Sequence, residues 1–354
     1  MNERLKDFKI KMKQKDLQGM IISDPKNIKY LTGLTEEGTL IIKNKENIFL
    51  TDSRYVEEVK SKLTVDDEIS IINISDISKY DYENFFILCN NVGFEEKYIT
   101  YEQYKNFLQL YQVNLVETEG IVEELRCIKS EEEIENIKKA CKITDDCFEY
   151  ITKYIKVGMS EKRIAFEIEK FMRINGAENI AFEFCVASGE NSALPHARPT
   201  DRRIKNNDVL LLDIGCKVNG YCSDFTRTIH IGKATEEFKE AYNFVLEEQE
   251  KIIKDLKPEN DIKQILKPIY DDYSQKDYSI LHAFGHGLGL YIHEEPVLTT
   301  RKNKIIKENM VFAVEPGVYF TNKFGIRIED TILITENGSI ILTKSAKNLI
   351  EIEI

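Results

Sequence analysis

Residues 209–231 read Val209-Leu210-Leu211-Leu212-Asp213-Ile214-Gly215-Cys216-Lys217-Val218-Asn219-Gly220-Tyr221-Cys222-Ser223-Asp224-Phe225-Thr226-Arg227-Thr228-Ile229-His230-Ile231. The unbroken apolar run at the start is the pattern of a buried strand. A carboxylate within such a run, here Asp213, is strongly destabilising unless something compensates it. Asn219-Gly220 is the strongest two-residue signal for a hairpin. A tight turn there sets Val218 opposite Tyr221, Asp213 opposite Thr226, and Gly215 opposite Asp224. Asp213 and Asp224 then become diagonal neighbours on one face, roughly 7–8 Å apart at the backbone. Two acids held this way repel unless a cation lies between them. A surface hairpin with two incidental acids is the bland alternative, and the apolar setting of Asp213 argues against it.

A second carboxylate pair repeats the pattern. Met310 to Val314 is apolar and ends in Glu315-Pro316-Gly317. Ile326 to Ile332 alternates as a strand, which puts Arg327, Glu329 and Thr331 on one face. Alone, that face is ordinary solvent exposure; beside Glu315 it becomes a second acidic pair. Between the pairs lies His282-Ala283-Phe284-Gly285-His286-Gly287-Leu288-Gly289-Leu290-Tyr291-Ile292-His293, which holds three of the five histidines. The glycines argue for a loop or strand rather than a helical zinc motif, and they allow close backbone approach to a ligand. His-Glu-x-x-His is absent. Asp213, Asp224, Glu315 and Glu329 carry four negative charges, which two divalent cations would balance. One neutral histidine completes a nitrogen and oxygen shell suited to Mn²⁺, Co²⁺ or Zn²⁺. A water shared by two such ions is acidified enough to act as a nucleophile at neutral pH.

The chain as a whole is ordinary in composition, with 42% hydrophobic and 31% charged residues over 354 positions. That length suits two domains. The formal net charge of −12 argues against nucleic acid or an anionic membrane as the main partner. Seven scattered cysteines without a Cys-x-x-Cys pair fit a reducing compartment, not a disulfide framework. Met1 to Gln18 reads as an amphipathic helix without the apolar region of a signal peptide. No run of 18 apolar residues is present to span a membrane.

The first third alternates short apolar runs with helical patterns. Gly19 to Ile22, Thr39 to Ile42, Asn47 to Leu50, Ile69 to Ile74 and Phe85 to Cys89 are expected strands; Arg54 to Lys62 and Tyr101 to Tyr111 are expected helices. This predicts a small α/β domain. Ser130 with Glu133 has capping-box spacing and opens a long amphipathic helix. A second helix is expected from Ser160 to Asn175-Gly176, further helices from about Glu236 to Tyr273, and strands from Met310. Helices, strands, helices, strands predict an α+β domain of two similar halves. Domains are placed at residues 1–124 and 125–354.

With these residues in view, the chain resembles the proline-specific peptidases of the methionine aminopeptidase clan, Xaa-Pro aminopeptidase and prolidase. Asn27-Ile28-Lys29-Tyr30-Leu31-Thr32-Gly33 and Thr51-Asp52-Ser53-Arg54-Tyr55 resemble the family's N-terminal domain. Leu125-Arg126-Cys127-Ile128-Lys129-Ser130 resembles the entry to its catalytic domain, and Ala187 to His196 its substrate-binding segment. The resemblance implies a creatinase-like N-terminal α/β domain and a pita-bread C-terminal domain. It implies that Asp213, Asp224, His286, Glu315 and Glu329 ligate two divalent ions, Mn²⁺ foremost, with Co²⁺ or Zn²⁺ as alternatives. His196 and His293 would bind substrate and stabilise the tetrahedral intermediate, and Glu315 would also take a proton from the nucleophile. His282 matches a histidine of the proline-specific members, and Arg327 an arginine behind Glu329. A cytoplasmic homodimer acting on peptides with proline second is the implied whole. His230 is read as structural, and Tyr291, where many relatives carry an acid, as tuning the pocket. The rival readings are a clan member with another specificity, a metal-free hydrolase like creatinase, and a non-catalytic binding protein on the same fold. Five intact ligand positions weigh against the last two.

Overall fold

The alternating runs of the first third build one mixed sheet. A computed structural model describes residues 3–64, 68–301 and 303–353. Two compact units divide the chain, Met1–Arg126 and Cys127–Ile354. The first unit runs α1 (Glu3–Gln14), β1 (Gly19–Ile22), α2 (Pro25–Thr32), β2 (Thr39–Lys43), β3 (Asn47–Thr51), α3 (Val56–Lys62), β4 (Ile69–Asn73), α4 (Lys79–Asn84), β5 (Asn91–Phe94), α5 (Tyr101–Tyr111), β6 (Asn114–Glu117) and α6 (Ile121–Arg126). Its strands lie in the order β4-β3-β2-β1-β5-β6. Met1 and Asn2, the start of the expected amino-terminal helix, lie outside the described residues. The expected strand at Phe85 to Cys89 is a turn instead. Its apolar content serves packing: Phe85 and Phe86 are buried edge-on against Tyr111, while Leu88 takes a left-handed φ of 68° and points outward.

The second unit repeats a pair of helices followed by antiparallel strands. Its first half holds α7 (Glu131–Tyr154), α8 (Glu161–Ile174), β7 (Asn179–Ile180), β8 (Cys185–Ser188), β9 (Val209–Ile214), β10 (Cys216–Val218), β11 (Tyr221–Cys222) and β12 (Phe225–Ile231). Its second half holds α9 (Glu236–Asp255), α10 (Ile262–Gln275), β13 (Gly285–Gly287), β14 (Glu294–Val297), β15 (Val311–Val314), β16 (Gly317–Phe320), β17 (Phe324–Arg327), β18 (Asp330–Thr335), β19 (Gly338–Ile341) and, closing the first half's sheet, β20 (Glu351–Ile352). The two main sheets run β20-β12-β9-β8 and β14-β13-β15-β18-β19. Ser130 caps α7 and closes the expected capping box with Glu133, so orphan N–H groups at both the cap and the third helical residue are satisfied.

Period-two alternation decides which side chains meet helices and which face away. From β9 and β12, Leu210, Leu212, Ile214, Phe225 and Ile229 pack on Phe148, Ile151, Ile164 and Ile168 of the helix pair. From β15 and β18, Phe312, Val314, Ile332 and Ile334 pack on Phe238, Tyr242, Leu266 and Ile269. Burial of each such side chain stabilises by about 1.5–3 kcal/mol. The intervening positions, Asp213 among them, are thereby turned to the opposite face.

The expected unbroken strand at Ile326 to Ile332 is interrupted at Ile328 and Glu329. There Glu329 N–H leaves the sheet's own ladder and donates to Thr226 O at 3.0 Å. A backbone bond between the two halves replaces two positions of regular strand.

Candidate metal centre

The hairpin forms with the expected register: Val218 pairs with Tyr221, Asp213 with Thr226, and His230 with Val209. Gly215 is required by proximity, since a Cβ there would lie 2.2 Å from Ser223 O. A cavity of about 350 Å³ opens on the face away from the helices. It is lined by Asp213, Asp224, His286, Glu315 and Glu329, by His196, His282, His293 and Arg327, and by Phe182, Glu183, Cys185, Ala197, Arg198 and Ile292. Every residue singled out from the sequence for chemistry therefore meets in one place.

The donor atoms of Asp224, His286 and Glu329 all lie within 4.8 Å of one another. His286 Nε2 is 3.6 Å from Asp224 Oδ2 and 3.5 Å from Glu315 Oε1. Its Nδ1 faces Gly287 O at 3.1 Å. A carbonyl only accepts, so the proton sits on Nδ1 and the Nε2 lone pair points at the acids. Asp224, His286 and Glu329 are buried. Burial, then the charge of Glu329, pushes Asp224 well above the usual carboxylate range. Burial and the charge of Glu315 do the same to Glu329. Burial lifts Glu315 to about 8. Burial, and then neighbouring His293, lowers His286 to about 4, so its imidazole is neutral. Among the described residues, Asp213 Oδ1 is buried without a hydrogen-bond partner. Four carboxylates, one of them with an orphaned oxygen, and one free imidazole nitrogen form a donor set that fits divalent cations of hard to intermediate character.

Other side chains aim these donors. Thr226 Oγ1 donates to Glu329 Oε2 at 2.6 Å, and Thr331 Oγ1 donates to Asp224 O at 2.8 Å. Arg327 donates from Nη2 to Asp213 Oδ2 at 2.5 Å, and from Nη1 to Tyr319 OH at 2.7 Å and Pro195 O at 3.1 Å. Tyr319 OH lies 2.8 Å from His282 Nε2, and His282 Nδ1 lies 2.8 Å from Ala283 O. The carbonyl fixes a proton on Nδ1. The tyrosine therefore accepts from Arg327 and donates to Nε2. Burial, then the charge of Arg327, lowers His282 to about 4. His282 also lines a neighbouring cavity of about 550 Å³ with Leu281, Val297, Arg301 and Lys304.

His196 and His293 sit at the exposed rim. The His293 ring stands edge-on to His286 with centroids 4.4 Å apart. The segment carrying His196 is held at both ends by the buried Glu161, which accepts from Ser188 N–H at 2.7 Å and Thr200 N–H at 2.9 Å. Its 3-10 turn, Gly189–Ala193, rests on β17 at Gly325, where a Cβ would lie 2.0 Å from Ser192 O.

His230 lies away from the cavity, with Nδ1 3.0 Å from Gly232 O and its ring edge-on to Phe238. Tyr291 does not line the cavity as expected: it sits in the turn before β14, where its N–H is taken by Glu294 Oε1 at 2.9 Å, and Ile292 and His293 face the cavity instead. Tyr319 is the contributor that the sequence left unmarked; Thr226 and Thr331, placed there only opposite Asp213 and beside Glu329, prove to bond Glu329 and Asp224. The signal for Tyr319 was its place four residues past Glu315.

Comparison with known proteins follows the same division of the chain. The sequence profile of metallopeptidase family M24 matches residues 135–336, and that of the creatinase/prolidase N-terminal domain matches residues 4–128. The Xaa-Pro dipeptidase of Pyrococcus furiosus is 36% identical, over 99% of this chain and 100% of that protein. Among solved structures, the Xaa-Pro dipeptidase from Bacillus anthracis superposes with a TM-score of 0.93 at 33% identity, covering 99% of both chains. The X-Pro aminopeptidase from Thermotoga maritima superposes with a TM-score of 0.88 at 30% identity, covering 99% of this chain and 100% of the other.

Proposed function

The chain belongs to metallopeptidase family M24, and from that premise we propose that it hydrolyses the peptide bond between an amino-terminal residue and proline. It is a metallopeptidase with a creatinase-type first unit and a pita-bread second unit. The observation that carries the reading is the convergence of four carboxylates and one neutral imidazole on a single cavity. The relatives named for Xaa-Pro cleavage supply the substrate class.

Asp213, Asp224, His286, Glu315 and Glu329 would hold two divalent cations, Mn²⁺ first, with Co²⁺ or Zn²⁺ as alternatives that an oxygen-rich donor set also accepts. When bound, such cations supply Lewis acidity towards a carbonyl and lower the pKa of water. The protein's own groups do the rest. Glu315 takes the nucleophile's proton. His196 and His293 donate to the oxygen that gains charge, from a rim position above the acids. Arg327 holds Asp213 and, through Tyr319, the His282 ring. The leaving proline nitrogen needs a proton, because a secondary amine anion departs poorly. Glu315, once it holds the nucleophile's proton, is the carboxylic acid that delivers it to that nitrogen; His282 Nδ1, 3.9 Å from Glu315 Oε2, keeps its own proton on Ala283 O and lines the pocket beside it.

Seven free cysteines, six of them buried, accord with a reducing cytoplasm. No described helix is long and apolar enough to cross a membrane. The homodimer expected from the resemblance is tested by the mass in solution. A non-catalytic binding role is not favoured, because none of the five donor positions is lost.

The deciding experiment compares an Xaa-Pro dipeptide, an Xaa-Pro-Xaa tripeptide and an Xaa-Ala control with purified protein under each metal. Cleavage of the Xaa-Ala control at the rate of the Xaa-Pro substrates would sink the proline reading. Asp213→Ala should lose both metal and turnover.

A further inference from the structure

His196 and His293 are given the same task at the rim, but they are held differently. The segment of His196 is tied at both ends by Glu161. The His293 ring is exposed, meets His286 edge-on, and makes no hydrogen bond among the described residues. Its place is set by the backbone turn between β13 and β14. The ladder between those strands is irregular at His286 and Gly287, so sheet pairing alone does not hold the turn. The Glu294 carboxylate does. Its Oε1 accepts Tyr291 N–H at 2.9 Å, a bond that brackets Ile292 and His293. Its Oε2 lies 3.3 Å from Lys129 Nζ, with the two side chains 6% and 1% exposed. Lys129 is fixed in turn: its N–H donates to Asn309 O at 2.9 Å, and the next residue is Ser130, the cap of α7.

We propose that Lys129 is a positioning residue for the reaction: its pairing with Glu294 holds the turn that keeps His293 beside His286 at the metal cavity. The inference rests on the reading of His293 as a donor to the oxygen that gains charge. A buried ion pair is a poor source of stability, because an apolar pair of similar volume serves as well or better. Its value here lies in geometry. The ammonium attracts Glu294 from inside the protein, so the carboxylate does not swing out to water and release Tyr291 N–H. Lys129 itself is a fixed point beside a helix start. A displacement of about 1 Å at a reaction centre costs up to about 100-fold in rate, and an exposed ring has little packing to resist one.

The test neutralises the pair rather than breaking it, since a lone buried charge would threaten the fold. Lys129→Met combined with Glu294→Gln removes both charges and keeps an oxygen for Tyr291 N–H. On metal-saturated protein with an Xaa-Pro dipeptide, kcat should fall about 10-fold with KM nearly constant. Glu294→Gln alone, almost isosteric, should move kcat in the same direction. Metal affinity, read by competition with a coloured chelator, should stay within about twofold of wild type, because the pair acts on the turn and not on the donors. The deciding comparison adds the paired change to His293→Ala. There it should cost less than about twofold more, because the group it positions is gone. A paired variant with wild-type kcat overturns the assignment. So does a further loss of about 10-fold on top of His293→Ala, or a paired variant that no longer holds metal. His293→Ala with wild-type kcat defeats the donor reading of that histidine and this assignment with it. Wild-type protein that leaves the dipeptide intact defeats the Xaa-Pro reading itself, a result distinct from any change confined to the paired variant.

Discussion

Arg327 shows how one side chain links several groups of a reaction centre. It bonds Asp213, and it donates to the Tyr319 hydroxyl, which in turn donates to Nε2 of the His282 tautomer that Ala283 O fixes. Tyr319→Phe removes the middle of that chain without opening a large void. We expect kcat for an Xaa-Pro dipeptide to fall about 3- to 10-fold with KM nearly constant, the scale of one lost hydrogen bond; steady-state kinetics on metal-saturated enzyme would check this. Thr226→Val removes the bond to Glu329 Oε2 and should weaken metal binding about 10- to 100-fold, read by competition with a coloured chelator. At this scale the convergence of Asp213, Asp224, His286, Glu315 and Glu329 on one cavity was legible because acids or imidazoles stood in apolar or glycine-rich surroundings. Tyr319 was not, nor were the bonds made by Thr226 and Thr331, since a hydroxyl's role depends on what another strand places opposite.

The elements that hold these residues are set by turns and close approaches. The β9 to β12 hairpin was legible down to its register because Asn219-Gly220 fixes the turn and the apolar alternation fixes the face. The stretch Phe85 to Cys89 was misread because a short apolar run fits a strand and a buried turn equally, and only the aromatic cluster with Tyr111 decides between them. The break at Ile328 and Glu329 was hidden for a related reason: alternation continued through it, while the backbone bond to Thr226 lies far away in sequence. Gly325→Ala should push the Gly189–Ala193 turn, and His196 with it, off β17. The expected loss is about 1–3 kcal/mol in denaturant unfolding, with a lower kcat/KM. Ser130→Ala is the contrasting case: loss of the cap should lower stability by about 1 kcal/mol and leave kcat/KM as it was.

For the molecule as a whole, the crowding of acids makes stability depend on what neutralises them. Chelation should lower the melting temperature, and adding back Mn²⁺ should restore it. In the chelated protein Asp224, Glu329 and Glu315 stand above ordinary carboxylate values chiefly through burial, Glu315 at about 8 against 4.5. Folded values above unfolded ones mean a contribution fully present below the ordinary range and lost as pH rises towards 8. The melting difference between loaded and chelated protein should therefore widen from about pH 5 to about pH 8; calorimetry that finds a constant difference would refute this.

Arg227 on β12 and Asp330 on β18 are both fully buried and 2.7 Å apart, and the same guanidinium also holds the carbonyls of Glu329, Ser345 and Ala346. Such a join is far harder to break than a surface contact, since Arg227 left alone would be an uncompensated charge in the interior, although Asp330 also meets Lys347 Nζ at 3.3 Å. It acts as a rivet through the catalytic unit, so the crevice does not empty by its halves parting. A slow-turnover peptide seated at the mouth of that cavity should then delay the stripping of metal by a chelator.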